Sequence, residues 1–242
     1  MKKLLMTIAL SLMAAQAAFA VTPNGLATGL VATTLAQEDE ERDPTEGRNV
    51  KRTPTMREPV YRRLSEAQQA AEADDLATAR ELIDEIANLK GLTPYETAQM
   101  YNFRAYLAYT DGNYPGAIAA YKSVLAQEDL PEAMENDSYM LLGQAYYQLE
   151  EYANALEPVN RGIQMTRDEG GEVKEDWLLL QRVLYYEMEN YEKVAEILEE
   201  LVQRFPKKTY WLQLAGMYGQ LEQPEKRLIT LDLAYRQGLF GR

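Results

Sequence analysis

One pattern of large, small and aromatic residues recurs about five times in the C-terminal part of this chain. Its clearest copy reads Tyr139-x-x-Leu142-Gly143-x-x-Tyr146, followed after eight residues by Ala155. A repeat of roughly 34 residues or slightly more with this order is typical of stacked helical hairpins, in which one small residue lets two helices approach closely. The sequence therefore predicts an all-α repeat protein.

The small position of the second helix recurs at nearly constant spacing. It is occupied by Ala79, Ala117, Ala155, Val194 and Arg227, at intervals of 38, 38, 39 and 33 residues. Intervals above about 34 residues imply short insertions between hairpins.

Residues that stop helices predict where the loops lie. Loops between hairpins are expected at residues 91–94, 129–131 and 169–172, and Pro206 closes the fourth hairpin. The turns within hairpins are expected at Asp74-Asp75, Asp111-Gly112-Asn113, Glu150-Glu151 and Glu189-Asn190.

The N-terminus is typical of a secretory signal peptide. Lys2 and Lys3 precede a mostly apolar run, and small residues form an A-x-A cleavage site that ends at Ala20. We expect a signal peptide over residues 1–20. The apolar run is too short to span a bilayer comfortably, so membrane insertion is not expected.

The distribution of aromatic residues along the chain distinguishes a tether from a packed domain. Residues 21–57 contain no aromatic residue and show neither helical nor strand periodicity, which predicts a disordered tether. All 17 tyrosines lie between Tyr61 and Tyr235. We therefore predict one repeat domain over residues 58–242.

Composition argues against most catalytic chemistry. The chain has no His and no Cys, which excludes imidazole relays, thiol nucleophiles and the common zinc sites. It also has no glycine-rich phosphate loop, and its net charge of −13 repels nucleic acid. We expect a protein that is not an enzyme, with no cofactor and no metal.

Carboxylates are the remaining candidates for chemistry. Adjacent pairs such as Asp74-Asp75 and Glu199-Glu200 could in principle act as general acids and bases. Neighbouring residues on a helix point about 100° apart, so such pairs are interpreted as solvated surface. Calcium binding at residues 168–172 is disfavoured because the oxygen spacing differs from the twelve-residue calcium loop.

The repeated residues resemble the tetratricopeptide repeat family. The third copy matches best, and the second and fifth copies supply Tyr101, Ala105, Gly112, Tyr114, Ala117, Tyr121, Trp211, Leu214, Ala215 and Tyr218. The pattern departs at Arg104, Arg182 and Arg227. The resemblance covers about residues 58–237 and implies a right-handed solenoid of about five tetratricopeptide-like helical hairpins.

In such a solenoid the first helices line the concave face. The residues that the resemblance assigns to this face are Asn102, Tyr106, Tyr109, Gln144, Tyr147, Gln148, Tyr186, Glu187, Gln213 and Gln220. Tyrosine and amide side chains suit an extended peptide, whose backbone amides can pair with them. The alternative is that the tyrosines complete the core between hairpins.

A second, narrower resemblance indicates what kind of partner the protein binds. The signal peptide, the charged tether and the runs at residues 101–106 and 205–211 are similar to periplasmic repeat proteins that accompany TonB-type energy-transducing systems. This implies a periplasmic scaffold. The acidic domain favours a basic segment of an envelope protein as partner. An adaptor for Tol-Pal, outer-membrane or peptidoglycan assembly is the alternative.

The C-terminal end predicts a further contact. The chain has no polar closing helix after its fifth hairpin, and an unclosed solenoid end exposes apolar surface. We expect further repeats in a longer protein or an oligomer contact at this end.

Overall fold

The structure is a computed structural model that describes residues 54–239. The predicted signal peptide (residues 1–20) and residues 21–53 of the predicted tether lie outside the described residues. Over residues 54–239 the chain forms ten helices and no strand, which confirms the all-α fold class.

The ten helices follow one another as five hairpins. Hairpin 1 is α1 (Glu58–Glu72) and α2 (Leu76–Ala87), and hairpin 2 is α3 (Pro94–Thr110) and α4 (Tyr114–Leu125). Hairpin 3 is α5 (Glu132–Gln148) and α6 (Tyr152–Asp168), and hairpin 4 is α7 (Glu175–Glu187) and α8 (Tyr191–Arg204). Hairpin 5 is α9 (Lys208–Gln220) and α10 (Pro224–Arg236).

The chain divides into two compact units, Met1–Ile86 and Ala87–Arg242. The described part of the first unit contains hairpin 1, where Arg63 of α1 forms an ion pair of 2.8 Å with Glu85 of α2. The second unit contains hairpins 2 to 5, and its consecutive helices pack on one another. The single domain predicted for residues 58–242 stays a prediction.

The same backbone turn closes all five hairpins. Each turn has one residue with a left-handed backbone, and these residues are Asp74 (φ 62°), Gly112 (φ 72°), Glu150 (φ 59°), Glu189 (φ 58°) and Glu222 (φ 55°). In each turn the following N–H donates to the carbonyl five residues earlier, at 2.8 to 3.1 Å. This is the Schellman arrangement, which satisfies carbonyls at the end of the first helix. The four predicted turns are confirmed.

Polar side chains begin three of the second helices. Asp75, Asn113 and Asn190 directly follow the left-handed residue, and their side-chain oxygens accept from backbone N–H groups at 3.1 to 3.2 Å. Such N-caps satisfy donors that lack a partner in the first helical turn. A capping box between Thr93 and Glu96 begins α3 in the same way.

Small residues allow close contact between the two helices of a hairpin. Ala79, Ala117, Ala155 and Val194 are buried, as their spacing predicts. In hairpin 3, a Cβ added to Gly143 would lie 2.5 Å from Val159 Cγ2 and 3.2 Å from the Ala155 carbonyl oxygen.

Hairpin 5 departs from this arrangement. Arg227 replaces the small residue and is exposed, and a Cβ added to Gly219 of the facing helix would lie 3.4 Å from Arg227 Nη1. A Cβ at residue 219 would therefore be in ordinary van der Waals contact with the arginine.

Helix α10 also exposes apolar side chains. Leu228 is 70% exposed, Ile229 59% and Leu233 44%, in agreement with the apolar surface predicted near this end. The oligomer contact itself stays a prediction. Among the described residues, none of the helices has the length and apolar character needed to cross a membrane.

The tight contact at Gly143 predicts that replacing a helical glycine by alanine has opposite effects on stability at Gly143 and at Gly216. Gly143→Ala should destabilise the fold by about 1–3 kcal/mol, because the new methyl group collides with the Val159 side chain and the Ala155 carbonyl oxygen. Gly216→Ala is the matched control, because a Cβ at residue 216 has no atom within 4 Å. It should stabilise the fold by roughly 0.5–1 kcal/mol through helix propensity. Urea unfolding measures both, and equal effects would contradict the close helix contact.

The left-handed turns predict a second pair of effects. Glu150→Gly and Glu189→Gly should each raise the free energy of unfolding by up to about 1 kcal/mol, because glycine adopts a positive φ without the steric cost of a Cβ. Gly112→Ala should lower it by a similar amount. Thermal unfolding followed by circular dichroism tests this, and a loss of stability in both glycine variants would show that the two carboxylates have another role.

Candidate functional site

The ten residues predicted to bind a peptide all lie on the first helices of hairpins 2 to 5. Gln148, Glu187 and Gln220 are exposed, and the other seven are partly buried. None is completely enclosed by the core, so each retains contact with solvent. We call this set the first-helix face.

Three of its tyrosines form pairs across the turns of hairpins 2 to 4. The ring centroids are 5.3 Å apart in Tyr109–Tyr114, 5.8 Å in Tyr147–Tyr152 and 5.8 Å in Tyr186–Tyr191, with interplanar angles of 71°, 46° and 64°. Edge-to-face and tilted contacts of this kind stabilise by about 0.5–1.5 kcal/mol beyond the area they bury. All six rings remain partly exposed. We call these six residues the tyrosine edge.

Side chains of the following hairpin reach the tyrosine edge. Burial raises the pKa of Tyr109 in hairpin 2, and the side chain of Gln148 in hairpin 3 acts in the opposite direction. Burial raises the pKa of Tyr152, and the carboxylates of Glu187 and Glu150 raise it further. The structure thus brings predicted site residues of neighbouring hairpins together.

The amides of the first-helix face include atoms without partners. The Oε1 atoms of Gln144 and Gln213 are buried, and neither has a hydrogen-bond partner among the described residues. Buried polar atoms are nearly always paired in native proteins. Both residues are partly exposed as a whole, so turning the side-chain amide would bring the oxygen to the surface.

The remaining predicted residues lie on α3. Asn102 is partly buried, and Tyr106 packs edge-to-face on Phe103 with ring centroids 5.7 Å apart. The Arg104 guanidinium carbon lies 5.8 Å from the centroid of the Tyr101 ring.

Charged side chains link the starts of neighbouring first helices. Lys207, which precedes α9, has its Nζ 2.6 Å from Glu175 Oε1 at the start of α7, and the Tyr210 hydroxyl donates to the same carboxylate. Burial acts to raise the pKa of Glu175, but the hydrogen bonds from Lys207 and Tyr210 outweigh it and the pKa is lowered. These contacts fix hairpin 5 against hairpin 4.

A related pair occurs between hairpins 3 and 4. Although the Asp137 side chain reaches solvent, the protein packed around it raises its pKa, and the positive charge of Lys174 opposes this shift. Lys174 precedes α7 as Lys207 precedes α9.

Sequence reasoning missed half of the tyrosine edge and one buried cation. Tyr114, Tyr152 and Tyr191 begin second helices, and the signal that could have identified them is a Tyr-x4-Tyr spacing that occurs at each turn of hairpins 2 to 4. Arg182 was recognised only as a departure from the repeat pattern. It is 4% exposed.

The described residues contain no group of three or more acidic side chains arranged to hold a metal ion.

Comparison with protein families identifies the repeat. Two overlapping stretches, residues 64–131 and 104–170, match the family model described as Tetratricopeptide repeat. Together they extend from hairpin 1 to the end of hairpin 3. No curated protein sequence matches the chain.

Solved structures share this arrangement of helices. A crystal structure of MamA has a TM-score of 0.55 at 15% sequence identity, and the match covers 70% of this chain and 92% of MamA. A MamA structure from Desulfovibrio magneticus RS-1 has a TM-score of 0.55 at 15% identity, with 75% and 96% covered. The apo form of RapI gives 0.56 at 13% identity, with 75% and 69% covered. At these identities the likeness concerns the fold, a tetratricopeptide-like solenoid.

The link between hairpins 4 and 5 predicts a pH-dependent stability. A carboxylate whose pKa is lowered by folding stabilises the protein above its unfolded pKa, and this contribution is lost as the pH falls through the folded pKa. The stability difference between wild type and Glu175→Gln should therefore be largest near neutral pH and shrink below pH 4.5, the ordinary pKa of the group.

Urea unfolding at several pH values measures this difference. Glu81→Gln, at an exposed carboxylate of α2, shows the general effect of removing one negative charge. A Glu175→Gln effect that stays constant down to pH 3 would contradict the proposed link.

Proposed function

We propose that this chain, whose residues 64–170 match the tetratricopeptide repeat family model, is a periplasmic scaffold. Its first-helix face would bind an extended segment of a TonB-type transport system. Tetratricopeptide repeat proteins are generally protein-interaction scaffolds without enzymatic activity. The protein partner follows from this family; the compartment and the transport system are our proposals.

The tyrosine edge is the main observation that supports a peptide-binding site on this face. It presents three pairs of half-buried rings on successive hairpins, and the pairing holds each ring in place before a ligand arrives. A tyrosine that is already ordered loses little rotamer freedom on binding. The edge therefore suits one extended segment that contacts several hairpins in turn.

The amides beside the edge fit the same kind of ligand. Gln144 and Gln213 each have a buried oxygen without a partner in the described part of the chain. An extended polypeptide presents backbone N–H groups at regular intervals and would supply the missing donors once the two amides turn towards the surface. A small polar metabolite would not reach both hairpins 3 and 5.

Charge supports a basic partner segment. The chain has a net charge of −13, and Glu150, Glu187 and Glu189 lie at the turns that carry the tyrosine edge. A segment rich in Lys or Arg would be attracted to this surface at long range.

The transport system is proposed from the sequence. The signal-peptide pattern of residues 1–20 supports export, and the runs at residues 101–106 and 205–211 are similar to those of periplasmic repeat proteins of TonB-type systems. A pull-down from periplasm, identified by mass spectrometry, should recover TonB-system proteins. Recovery of Tol-Pal or cell-wall assembly proteins without them would favour the alternative adaptor role instead.

A double substitution tests the binding face. Tyr106→Ala combined with Tyr147→Ala should weaken binding of the recovered partner at least about tenfold, equivalent to about 1.4 kcal/mol, because two contact rings are lost. Far-ultraviolet circular dichroism should show unchanged helical content, since neither ring belongs to the buried core.

The matched control is Tyr61→Ala combined with Tyr235→Ala, which removes two exposed tyrosines outside the first-helix face. Partner affinity measured by calorimetry should be retained in this control. If the two double variants bind equally well, the partner uses another surface. If Tyr106→Ala with Tyr147→Ala unfolds the protein, these rings serve the core and the assignment is wrong.

A further inference from the structure

Exposed apolar side chains are concentrated on one helix of hairpin 5. Of the seven large apolar side chains that are exposed in residues 54–239, four lie on α10. They are Leu228, Ile229, Leu233 and Tyr235. The remaining three are scattered over α1, α9 and the end of α7. Apolar side chains gathered on one exposed helix mark a contact surface.

The repeat register divides the four side chains into two groups. Leu228 and Tyr235 stand six and thirteen residues after the turn residue Glu222. In hairpin 2 the residues at these two positions, Ile118 and Leu125, pack in a core cluster that is shared with α5 of the next hairpin. Leu228 and Tyr235 therefore occupy the surface by which one hairpin stacks on the next.

Ile229 and Leu233 form the second group, and the other hairpins have no counterpart for it. These two residues stand seven and eleven positions after Glu222. The equivalent residues of hairpins 1 to 4 are Glu81, Ala119, Glu157 and Glu196 at the first position, and Glu85, Ser123, Arg161 and Glu200 at the second. None of these eight residues is buried. A further hairpin stacked in the same way would therefore leave Ile229 and Leu233 in water.

We propose that α10 packs against α10 of a second copy of this chain, with Ile229 and Leu233 in the contact. Such a contact uses the same surface of both copies and is closed by a two-fold axis. The inference goes beyond the proposed function and does not depend on it.

The second copy is the occupant because it supplies the apolar counterpart. Burying apolar surface is most favourable when the facing surface is also apolar. Over residues 54–239, α10 is the one helix that presents several exposed large apolar side chains together. A head-to-tail contact with hairpin 1 would set α10 against two helices on which Tyr61 is the one large apolar side chain exposed. Self-complementarity therefore favours α10 against α10.

Charge favours the same contact. The chain has a net charge of −13, but α9 and α10 carry four basic and two acidic residues, a net charge of +2. The four helices of hairpins 3 and 4 carry five basic and twelve acidic residues, a net charge of −7. Two copies repel each other least where they meet through hairpin 5.

An ion pair lies on the exposed face of α10. Arg236 Nη2 is 2.7 Å from Asp232 Oδ2. At about 100° per residue, both side chains project between Leu228 and Ile229. This pair gives the face no net charge, so two copies can approach without like charges at its centre. An acidic residue at the centre also disfavours an anionic lipid surface as the occupant.

The size of the contact predicts a reversible dimer. A helix of 13 residues is about 20 Å long and offers less than the roughly 800 Å² per partner that a standard interface buries. We therefore expect a dissociation constant in the micromolar range, so that monomer and dimer coexist at accessible concentrations.

Sedimentation equilibrium of the full chain tests the dimer. Between about 5 and about 500 µM, the average mass should rise from that of the monomer towards twice that value. A monomer at all concentrations would overturn the proposal. A mass that continues to rise beyond the dimer would also overturn it, because a two-fold contact closes after two copies.

Substitution locates the contact. Ile229→Glu combined with Leu233→Glu should weaken dimerisation at least about tenfold, because two apolar side chains are replaced by like charges. The fold should be kept, since hairpins 1 and 4 carry Glu at both positions. Circular dichroism checks this, and loss of helical signal would show that the two side chains belong to the core and the proposal is wrong.

The matched control is Tyr61→Glu combined with Met188→Glu. It removes two exposed apolar side chains outside hairpin 5 and adds the same two charges. The control should dimerise as wild type does. Equal loss of dimer in both double variants would show that charge alone acts, and the assignment to α10 would fail.

A charge-swap experiment tests whether α10 faces α10. Ile229→Lys with Leu233→Lys should be monomeric alone, like the double Glu variant, because like charges meet across the two-fold axis. An equimolar mixture of the two variants should form a heterodimer, since opposite charges then meet. A mixture that stays monomeric would show that α10 contacts a different surface, which contradicts the proposal.

Vesicles test the competing occupant. Full-length protein should not float with vesicles of phosphatidylglycerol and phosphatidylethanolamine in equal parts. Flotation that the double Glu variant abolishes would show that lipid covers α10, and the proposed dimer contact would be wrong. None of these measurements uses a ligand of the first-helix face, so failure of the dimer leaves the proposed function standing, and the reverse also holds.

Discussion

The left-handed turn within each hairpin sets the register of the whole repeat region. Its residues, from Asp74 to Glu222, follow one another at 38, 38, 39 and 33 positions. The small packing residue of the second helix lies five positions after each of the first four, and Arg227 occupies this position in hairpin 5. Because a Schellman turn fixes where the first helix stops and the second begins, it also fixes which side chains face each other. The close helix contacts, the tyrosine pairs and the position of Arg182 in its hairpin all follow from this register.

Helix number, hairpin order and turn positions could be predicted from sequence, because they depend on local signals. Gly112 and the caps Asp75 and Asn113 identify turns directly. The partners of individual side chains could not be predicted in this way. The side chain of Gln148 acts on Tyr109 of the preceding hairpin, and the ion pair between Lys207 and Glu175 joins hairpins 5 and 4. Contacts between repeats depend on packing geometry, which the residue pattern of one repeat does not contain.

The tyrosines of the tyrosine edge can stabilise the fold and bind a partner at the same time. Each ring pair braces a turn, as the core interpretation of these tyrosines requires, and each ring also keeps an exposed side. A ring that is held by its neighbour is a better contact for a ligand than a free one, because less conformational entropy is lost on binding. The bracing contact is therefore what prepares the edge for a partner.

Two arginines, Arg182 and Arg227, replace small residues of the repeat pattern, and they differ in their surroundings. Arg227 lies on the surface against Gly219, where its charge is exposed to solvent. Arg182 lies in the interior, its Nε has no partner within residues 54–239, and no neighbouring glycine accounts for it. Solvation explains the first substitution completely. The second leaves a buried donor without a partner among residues 54–239, and an unpaired buried donor costs more than a solvated one.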